Sequence, residues 1–142
     1  MASGLPVAFE GTVVHGYGRG GKQLDCPTAN LDETCVARLP SSLKNGVYWG
    51  GGRVKGGGAG EEKAEIPIVL SIGDNPHFGN DKRTLEVHFL QKMPDFYGAT
   101  IGGTICGFIR EMKAFGSMEE LVEAIRKDKE DARRAFEDYV KK

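Results

Sequence analysis

Alternating hydrophobic and polar positions predict β-strands along much of the chain, and the clearest alternation covers residues 84–90. Its two faces are Leu85, Val87 and Phe89 on one side, and Thr84, Glu86, His88 and Leu90 on the other. Similar patterns predict further strands at residues 7–15, 46–54, 66–72 and 101–110. The pattern alone therefore indicates about five strands.

A single long helix is predicted after the strands. Ser117 and Glu120 form the pattern of a capping box, in which a serine at the N-cap precedes a glutamate at the third helical position. The apolar positions that follow at close to helical spacing are Leu121, Ile125, Ala132, Phe136 and Val140. The charged residues between them are most simply a solvated face, so pattern alone gives a β-rich fold with a C-terminal helix.

Three other stretches are predicted to be connections. Residues 31–45 indicate irregular structure with one helical turn, and the glycine-rich residues 56–63 indicate a flexible hairpin tip. Residues 73–83 are turn formers and charged residues, which predict a long surface loop. Long ordered loops often serve as active-site lids.

The composition favours one compact β domain in a reducing compartment. The chain has 142 residues, of which 39% are hydrophobic and 21 are glycine, about twice the average usage of glycine. A net charge of −1 provides no basic face for nucleic acid, and no apolar run approaches the roughly 20 residues of a membrane span. No signal peptide is visible at the N-terminus. Cys26, Cys35 and Cys106 lack CxxC spacing, which favours reduced structural thiols and a cytoplasmic location.

The glycine-rich stretch that ends at Asn30 is the main candidate for chemistry. Its glycines let backbone N–H groups approach an anion, and Arg19 and Lys22 add positive charge to the same place. Pro27 favours extended backbone, in which Thr28 and Asn30 point to the same side. Their neutral oxygens suit a hard cation such as Mg²⁺ that phosphates also hold. The stretch predicts a nucleotide-phosphate and Mg²⁺ site, and the alternative is a flexible glycine turn between two strands.

Two well-known phosphate motifs match this stretch by accident. Residues 16–22 satisfy both the G-x-G-x-x-G pattern and the first part of a P-loop. Gln23 stands where a P-loop has the serine or threonine that binds Mg²⁺. Pro27 also lies where either motif needs a helix, so both readings fail.

The sequence resembles the riboflavin kinase family, which makes FMN from riboflavin and ATP. The resemblance rests on Gly-x-Gly-Arg-Gly-x-Lys-x-Leu at residues 16–24, followed by Pro-Thr-Ala-Asn at residues 27–30. Further matching blocks lie in the family's order at residues 45–50, 71–76, 85–88, 95–98 and 107–110. The resemblance implies a mainly β fold, a six-stranded antiparallel Greek-key-like β-barrel with a C-terminal α-helix packed on it. It implies one domain over residues 1–142, with the barrel at about 5–112 and the helix at about 117–141.

The same resemblance implies roles for individual residues. Glu86 matches the catalytic base, although it could simply occupy the polar face of its strand. Thr28 and Asn30 match the metal ligands, with Mg²⁺ expected and Zn²⁺ or Mn²⁺ as alternatives. The positions that match the ATP site are Gly16, Lys22, Thr28, Phe89, Gln91 and Tyr97, of which the aromatic residues could equally be core residues. The positions that match the riboflavin or FMN side are Arg110, Lys113 and Phe115, in what could otherwise be a charged turn.

Three departures from the family pattern stand out. Asp25 and Cys26 replace a Gly-Ile pair, residues 50–52 are all glycine where Gly-Trp-Ala is usual, and Glu111-Met112 replaces Pro-Glu. The resemblance also implies a spacing between Glu86 and Tyr97 that is one residue shorter than in close relatives, and the assignment of Gln91 to the ATP site depends on this spacing.

The resemblance implies a monofunctional, eukaryotic-like enzyme whose partners are the small molecules ATP and riboflavin, with no nucleic acid and no membrane. We expect a monomer that makes FMN and not FAD, since the chain has no room for an adenylyltransferase domain. The competing interpretation is a non-catalytic small barrel that binds a ligand or a protein. An RNA-binding barrel is a third alternative, which the near-neutral charge disfavours.

Overall fold

The computed structural model describes residues 5–14, 28–40, 42–55, 65–74, 83–90, 100–111 and 116–141. The strands are β1 (Val7–Val14), β2 (Thr28–Leu31), β3 (Gly46–Lys55), β4 (Ile66–Asp74), β5 (Arg83–Phe89) and β6 (Thr100–Arg110). The helices are α1 (Glu33–Ala37) and α2 (Met118–Val140). The predicted hairpin tip at residues 56–63 lies outside the described residues, as does most of the predicted loop at residues 73–83.

The six strands form a closed barrel in the order β1-β2-β5-β4-β3-β6, and every neighbouring pair is antiparallel. The prediction of a six-stranded barrel with a C-terminal helix is therefore confirmed. Hydrophobic alternation missed β2, because it is only four residues long. The extended backbone expected after Pro27 is this strand.

The barrel interior is filled by the inward faces of the strands. Leu85, Val87 and Phe89 have no exposed surface, as the alternation in β5 predicts. Helix α1, the helical turn predicted between residues 31 and 45, packs against β1. Its Cys35 lies so close to Gly11 that a side chain at Gly11 would overlap the Cys35 side chain. Burial, followed by the charge of Asp32, raises the pKa of the Cys35 thiol to about 11, which indicates an unreactive structural cysteine.

Two glycines, Gly50 in β3 and Gly103 in β6, are required by the close packing of these strands. The register between these strands shifts between Trp49 and Gly50. A Cβ atom at Gly50 would overlap the carbonyl oxygen of Thr104, and one at Gly103 would overlap the carbonyl oxygen of Gly51. The departures from the family pattern fall on Gly51 and Gly52. A Cβ atom at Gly51 would lie 2.7 Å from Cε1 of Phe136 in α2, and one at Gly52 would lie 3.2 Å from Cδ1 of Ile68 in β4.

Helix α2 packs on the outside of the barrel, mainly on β3 and β4. Ala132 is fully buried in a cluster with Val47, Val69 and Leu90, against which Trp49 also packs. The Arg133 guanidinium donates a 2.9 Å hydrogen bond to the Leu90 carbonyl. The apolar side of the predicted helix is thus the side that covers the barrel.

The start of α2 differs in one detail from the predicted capping box. The Ser117 hydroxyl accepts a 3.2 Å hydrogen bond from the Glu120 backbone N–H, as predicted. The Glu120 carboxylate, however, accepts from the backbone N–H of Gly116 at 3.4 Å, one residue before the N-cap. At the other end, Val140 is 58% exposed, so its predicted place on the apolar face is wrong. Neither described helix is long and apolar enough to cross a membrane.

Candidate active site

Glu86 and Asn30 are cross-strand partners on the outer surface of the barrel. Asn30 in β2 pairs with Glu86 in β5, and both side chains are half-buried. Their neighbours Leu31, Leu85 and Val87 are buried in the core, so the alternation of each strand directs Asn30 and Glu86 outward. Directly opposed Cβ atoms in an antiparallel pair lie about 4.5–5.5 Å apart. The predicted base and one predicted metal ligand are therefore neighbours.

This pair belongs to a row of outward-facing residues that crosses five strands. Glu86 pairs with Ser71 in β4, Ser71 pairs with Val47 in β3, and Val47 pairs with Arg110 in β6. We call Asn30, Glu86, Ser71, Val47 and Arg110 the Glu86 row. Helix α2 covers its Val47 section and packs mainly on β3 and β4, whereas Glu86 lies on the next strand, β5.

The Glu86 row connects the two ends of the barrel. Strand β1 ends at Val14, β2 begins at Thr28 and β5 ends at Phe89, so these termini meet at one end, the Thr28 end. Strand β6 finishes at Arg110 and β3 begins at Gly46, which places Arg110 at the opposite end, the Arg110 end. Because strands in a closed barrel are tilted and staggered, one cross-strand row can pass from one end to the other.

The predicted substrate residues divide between these two ends. The glycine-rich stretch connects Val14 to Thr28, and the segment with Gln91 and Tyr97 follows Leu90, so both segments leave the barrel at the Thr28 end. The segment with Lys113 and Phe115 leaves at the Arg110 end. Glu86 therefore lies between the predicted ATP side and the predicted flavin side.

His88 lies next to Glu86 on the same face of β5 and pairs with Thr28 and with Val69. Removal from water, followed by the positive charge of Lys129 in α2, lowers the pKa of the His88 imidazole to about 4. The imidazole is therefore neutral at pH 7. A neutral ring beside the site adds no charge that would compete with a metal ion for the phosphates.

Arg110 is bound to a carboxylate of α2. Its Nε donates to Asp128 Oδ1 at 3.0 Å and to Oδ2 at 3.3 Å, while Nη2 donates to Oδ2 at 2.8 Å. Its Nη1 donates to the Glu111 carbonyl at 3.2 Å. Asp128 is only 3% exposed. The structure thus places Arg110 at the junction of β6 and α2, and direct binding of a flavin by Arg110 stays a prediction.

The remaining predicted site residues are placed only in part. Phe89 is fully buried in the barrel core, the alternative that the sequence left open for it. The backbone of Thr28 pairs with His88. The residues that lie outside the described part of the chain are Gly16, Lys22, Gln91, Tyr97, Lys113 and Phe115. Within the described residues, no three His, Cys, Asp or Glu side chains come together as a metal site.

Sequence reasoning gave no role to Ser71 or Asp128. Ser71 lies within a block that matches the family, but only the register of β4 on β5 brings it next to Glu86. Asp128 had a visible signal. It falls between Ile125 and Ala132 on the apolar side of the helix, where a carboxylate needs a partner in the barrel.

A cavity of about 390 Å³ lies elsewhere, between β1, β3, β6 and α1. Its charged lining residues are Glu10, Arg38 and Arg53. No residue of the Glu86 row lines it, so this cavity is separate from the candidate active site.

Comparisons with known proteins identify the family. The family model for flavokinase, described as riboflavin kinase, matches residues 3–136. The human riboflavin kinase is 40% identical over 134 residues, which are 94% of this chain and 83% of the human protein. The crystal structure of riboflavin kinase from Trypanosoma brucei superposes with a TM-score of 0.71 and 32% identity, covering 92% of this chain and 76% of that one.

A similar fold occurs within a larger protein. The crystal structure of a macrolide-efflux protein from Streptococcus pneumoniae has a TM-score of 0.73 and 29% identity, and the match covers 90% of this chain but 38% of that one. The matches above, which cover most of both proteins, decide the family. This chain belongs to the riboflavin kinase family.

Proposed function

We propose that this chain, which as a riboflavin kinase converts riboflavin to FMN, uses Glu86 to accept the proton of the riboflavin 5′-hydroxyl. The observation that carries the proposal is the pairing of Asn30 with Glu86 in the Glu86 row, between the two ends of the barrel. The segments predicted to hold ATP leave the barrel at one of these ends, and the segment predicted to hold the flavin leaves at the other. A carboxylate between them is suited to orient the hydroxyl toward the γ-phosphate.

The reaction requires little covalent chemistry from the protein. The hydroxyl oxygen forms a bond to the γ-phosphorus while the bond to the β–γ bridging oxygen breaks, and ADP leaves. The proton of the hydroxyl passes to the Glu86 carboxylate. Positioning and neutralisation of the phosphates supply most of the rate enhancement, and a positioned base contributes typically 10²–10⁴-fold.

The donor groups at this site fit a hard divalent cation. Asn30 offers an amide oxygen, and the carboxylate of Glu86 lies opposite. Mg²⁺ binds oxygen ligands of both kinds together with substrate phosphates. Asn30 and the predicted ligand Thr28 would hold the ion, and when bound it neutralises charge on the phosphates of ATP. The proposal assigns Mg²⁺ as the metal and Gly16, Lys22, Gln91 and Tyr97 as ATP contacts.

Two further parts of the proposal concern the state of the protein. Cys35 and Cys106 are both free thiols, which supports a reducing compartment such as the cytoplasm. We also propose that the chain acts as a monomer.

The test compares Glu86→Gln with the wild-type protein, using ATP, riboflavin and Mg²⁺ and separating the flavins by chromatography. The variant keeps the shape of the side chain but cannot accept the proton, so we expect kcat to fall by about 10²–10⁴-fold. Glu123→Gln, which changes a carboxylate on the exposed side of α2, is the matched control and should keep full activity. If folded Glu86→Gln forms FMN at the wild-type rate, Glu86 is not the base.

A further inference from the structure

We propose that Asp128 is a positioning residue for the flavin side of the site, acting through Arg110 to fix α2 beside Glu86. This inference rests on the proposed position of the reaction at Glu86. It concerns substrate placement and assigns no chemical step to Asp128.

The contact between Arg110 and Asp128 is directional. Three hydrogen bonds join the guanidinium to both carboxylate oxygens, at 2.8–3.3 Å. Asp128 is the one charged side chain among the described residues that is buried. A bidentate pair between a guanidinium and a carboxylate fixes orientation as well as distance. Asp128 therefore specifies where this part of α2 lies along β6.

The apolar contacts of α2 in this region are less directional, and Arg133 adds a single hydrogen bond to the Leu90 carbonyl. Ala132 packs with Val47, Val69 and Leu90, and apolar packing of this kind tolerates small shifts of a helix along a sheet. A buried ion pair often adds little net stability relative to apolar residues of similar volume. The pair is thus better suited to fix the position of α2 than to hold the helix on the barrel.

The position of α2 affects the surroundings of Glu86, because the helix contacts β6 on one side of the Val47 section and approaches β5 on the other. Asp128 contacts Arg110 on β6, and the next residue, Lys129, brings its charge near His88 on β5. Arg110 is in the same cross-strand row as Glu86. A shift of the helix at Asp128 would therefore also move Lys129 relative to the face that carries Glu86.

Arg110 also begins the connection between β6 and α2. Arg110 is itself predicted to lie on the flavin side of the site, and it is held by Asp128. The contact with Asp128 joins the strand before the connection to the helix after it. Loss of the contact should therefore weaken riboflavin binding more than ATP binding, since the predicted ATP segments leave the barrel at the other end.

The experiment measures steady-state kinetics and the dissociation constant of riboflavin, by quenching of its fluorescence without ATP. We expect Asp128→Asn to raise both the KM and the Kd for riboflavin by about tenfold or more, with KM for ATP changed less than about twofold. Arg110→Lys keeps a positive charge beside Asp128 but removes the bidentate hydrogen bonding of the guanidinium. This variant should fold and should also raise the riboflavin constants more than the KM for ATP. Glu65→Gln, which breaks the Arg53–Glu65 ion pair, is the control and should leave the riboflavin constants unchanged.

A double variant separates positioning from direct contact. If Arg110 acts only with Asp128, Arg110→Gln/Asp128→Asn should bind riboflavin no more weakly than Arg110→Gln alone. If the double variant instead multiplies the increases in the riboflavin Kd of the two single variants, Arg110 and Asp128 have independent roles and the proposal is overturned. Unchanged riboflavin constants in Asp128→Asn and Arg110→Lys, with only a lower Tm, would overturn it in favour of a structural role. The binding measurement does not require Glu86 to be the base, so a failure of the proposed chemistry would appear separately.

Discussion

Asn30 and Glu86 stand opposite each other on strands β2 and β5, and both face away from the barrel core. Their strands are separated in sequence by more than 50 residues and by two other strands. A neutral oxygen donor and a carboxylate at one cross-strand position provide both a ligand for a cation and an acceptor for a proton. This pairing locates the reaction on the outer surface of the barrel, whereas the packed interior stabilises the fold.

Replacing Asn30 should weaken metal binding while the fold is kept. Asn30→Leu has a similar volume but no oxygen donor, so the Mg²⁺ concentration that gives half-maximal rate should rise by about tenfold or more. Asn30 is half-buried, and its loss should change the free energy of unfolding by no more than about 1 kcal/mol. Titration of FMN formation with Mg²⁺ at saturating ATP measures the first effect, and urea unfolding measures the second.

The control for this prediction is Thr12→Val, which changes an exposed outer residue of the neighbouring strand β1 and should leave the titration unchanged. An Asn30→Leu variant with the wild-type requirement for Mg²⁺ would exclude Asn30 as a metal ligand.

The local pattern of hydrophobic and polar residues correctly predicted the elements in which buried and exposed positions alternate regularly. In β5 the inward and outward sets were assigned correctly from the alternation alone, because one face is fully buried. Ser117 was correctly identified as the N-cap of α2, since its hydroxyl accepts a hydrogen bond from a backbone N–H only three residues away. The short strand β2 has no such repeat, and its membership of the barrel depends on pairing with β1 and β5.

The candidate site was predictable in its residues but not in its arrangement. The resemblance to a family singled out Asn30 and Glu86, yet nothing local to either residue places them opposite each other. Ser71 joins them only through the register between β4 and β5. Arg110 was assigned to the flavin, whereas its contact with Asp128 depends on where α2 crosses β6. Such long-range contacts are set by the closure of the barrel.

Gly107 should not tolerate a side chain, because Trp49 lies across it. A Cβ atom at Gly107 would overlap Nε1 of the Trp49 indole. The Trp49 ring also contacts Tyr139 of α2 edge-on, with the ring centroids 5.9 Å apart. Gly107→Ala should therefore displace Trp49 and lower the free energy of unfolding by about 1–3 kcal/mol.

Trp49 is the single tryptophan of the chain, so its fluorescence reports this displacement directly. The emission maximum of folded Gly107→Ala should move relative to the wild type. Gly116→Ala is the control, because its nearest neighbour would be a Glu120 oxygen at 3.4 Å, an ordinary contact. Equal stability and equal emission in Gly107→Ala and the wild type would refute the packing described.

His88 should make the fold less stable as the solution becomes acidic. Its pKa is lowered to about 4 in the folded protein, mainly by removal from water, whereas an unfolded histidine titrates near pH 6.5. Between these two values the unfolded chain binds more protons than the folded one, so stability falls as the pH falls from about 6.5 to about 4. Above pH 6.5 both states are neutral at this residue, and the effect disappears.

Between pH 7 and pH 5 we expect His88 to account for a loss of about 1–2 kcal/mol, a range that allows for screening of a half-buried ring. Urea unfolding of the wild type and of His88→Gln at both pH values isolates this share, because the carboxylates titrate alike in the two proteins. The wild type should lose more stability on acidification than the variant does. If both proteins lose the same amount, the pKa of His88 is the same in the folded and unfolded states, and neither burial nor Lys129 lowers it.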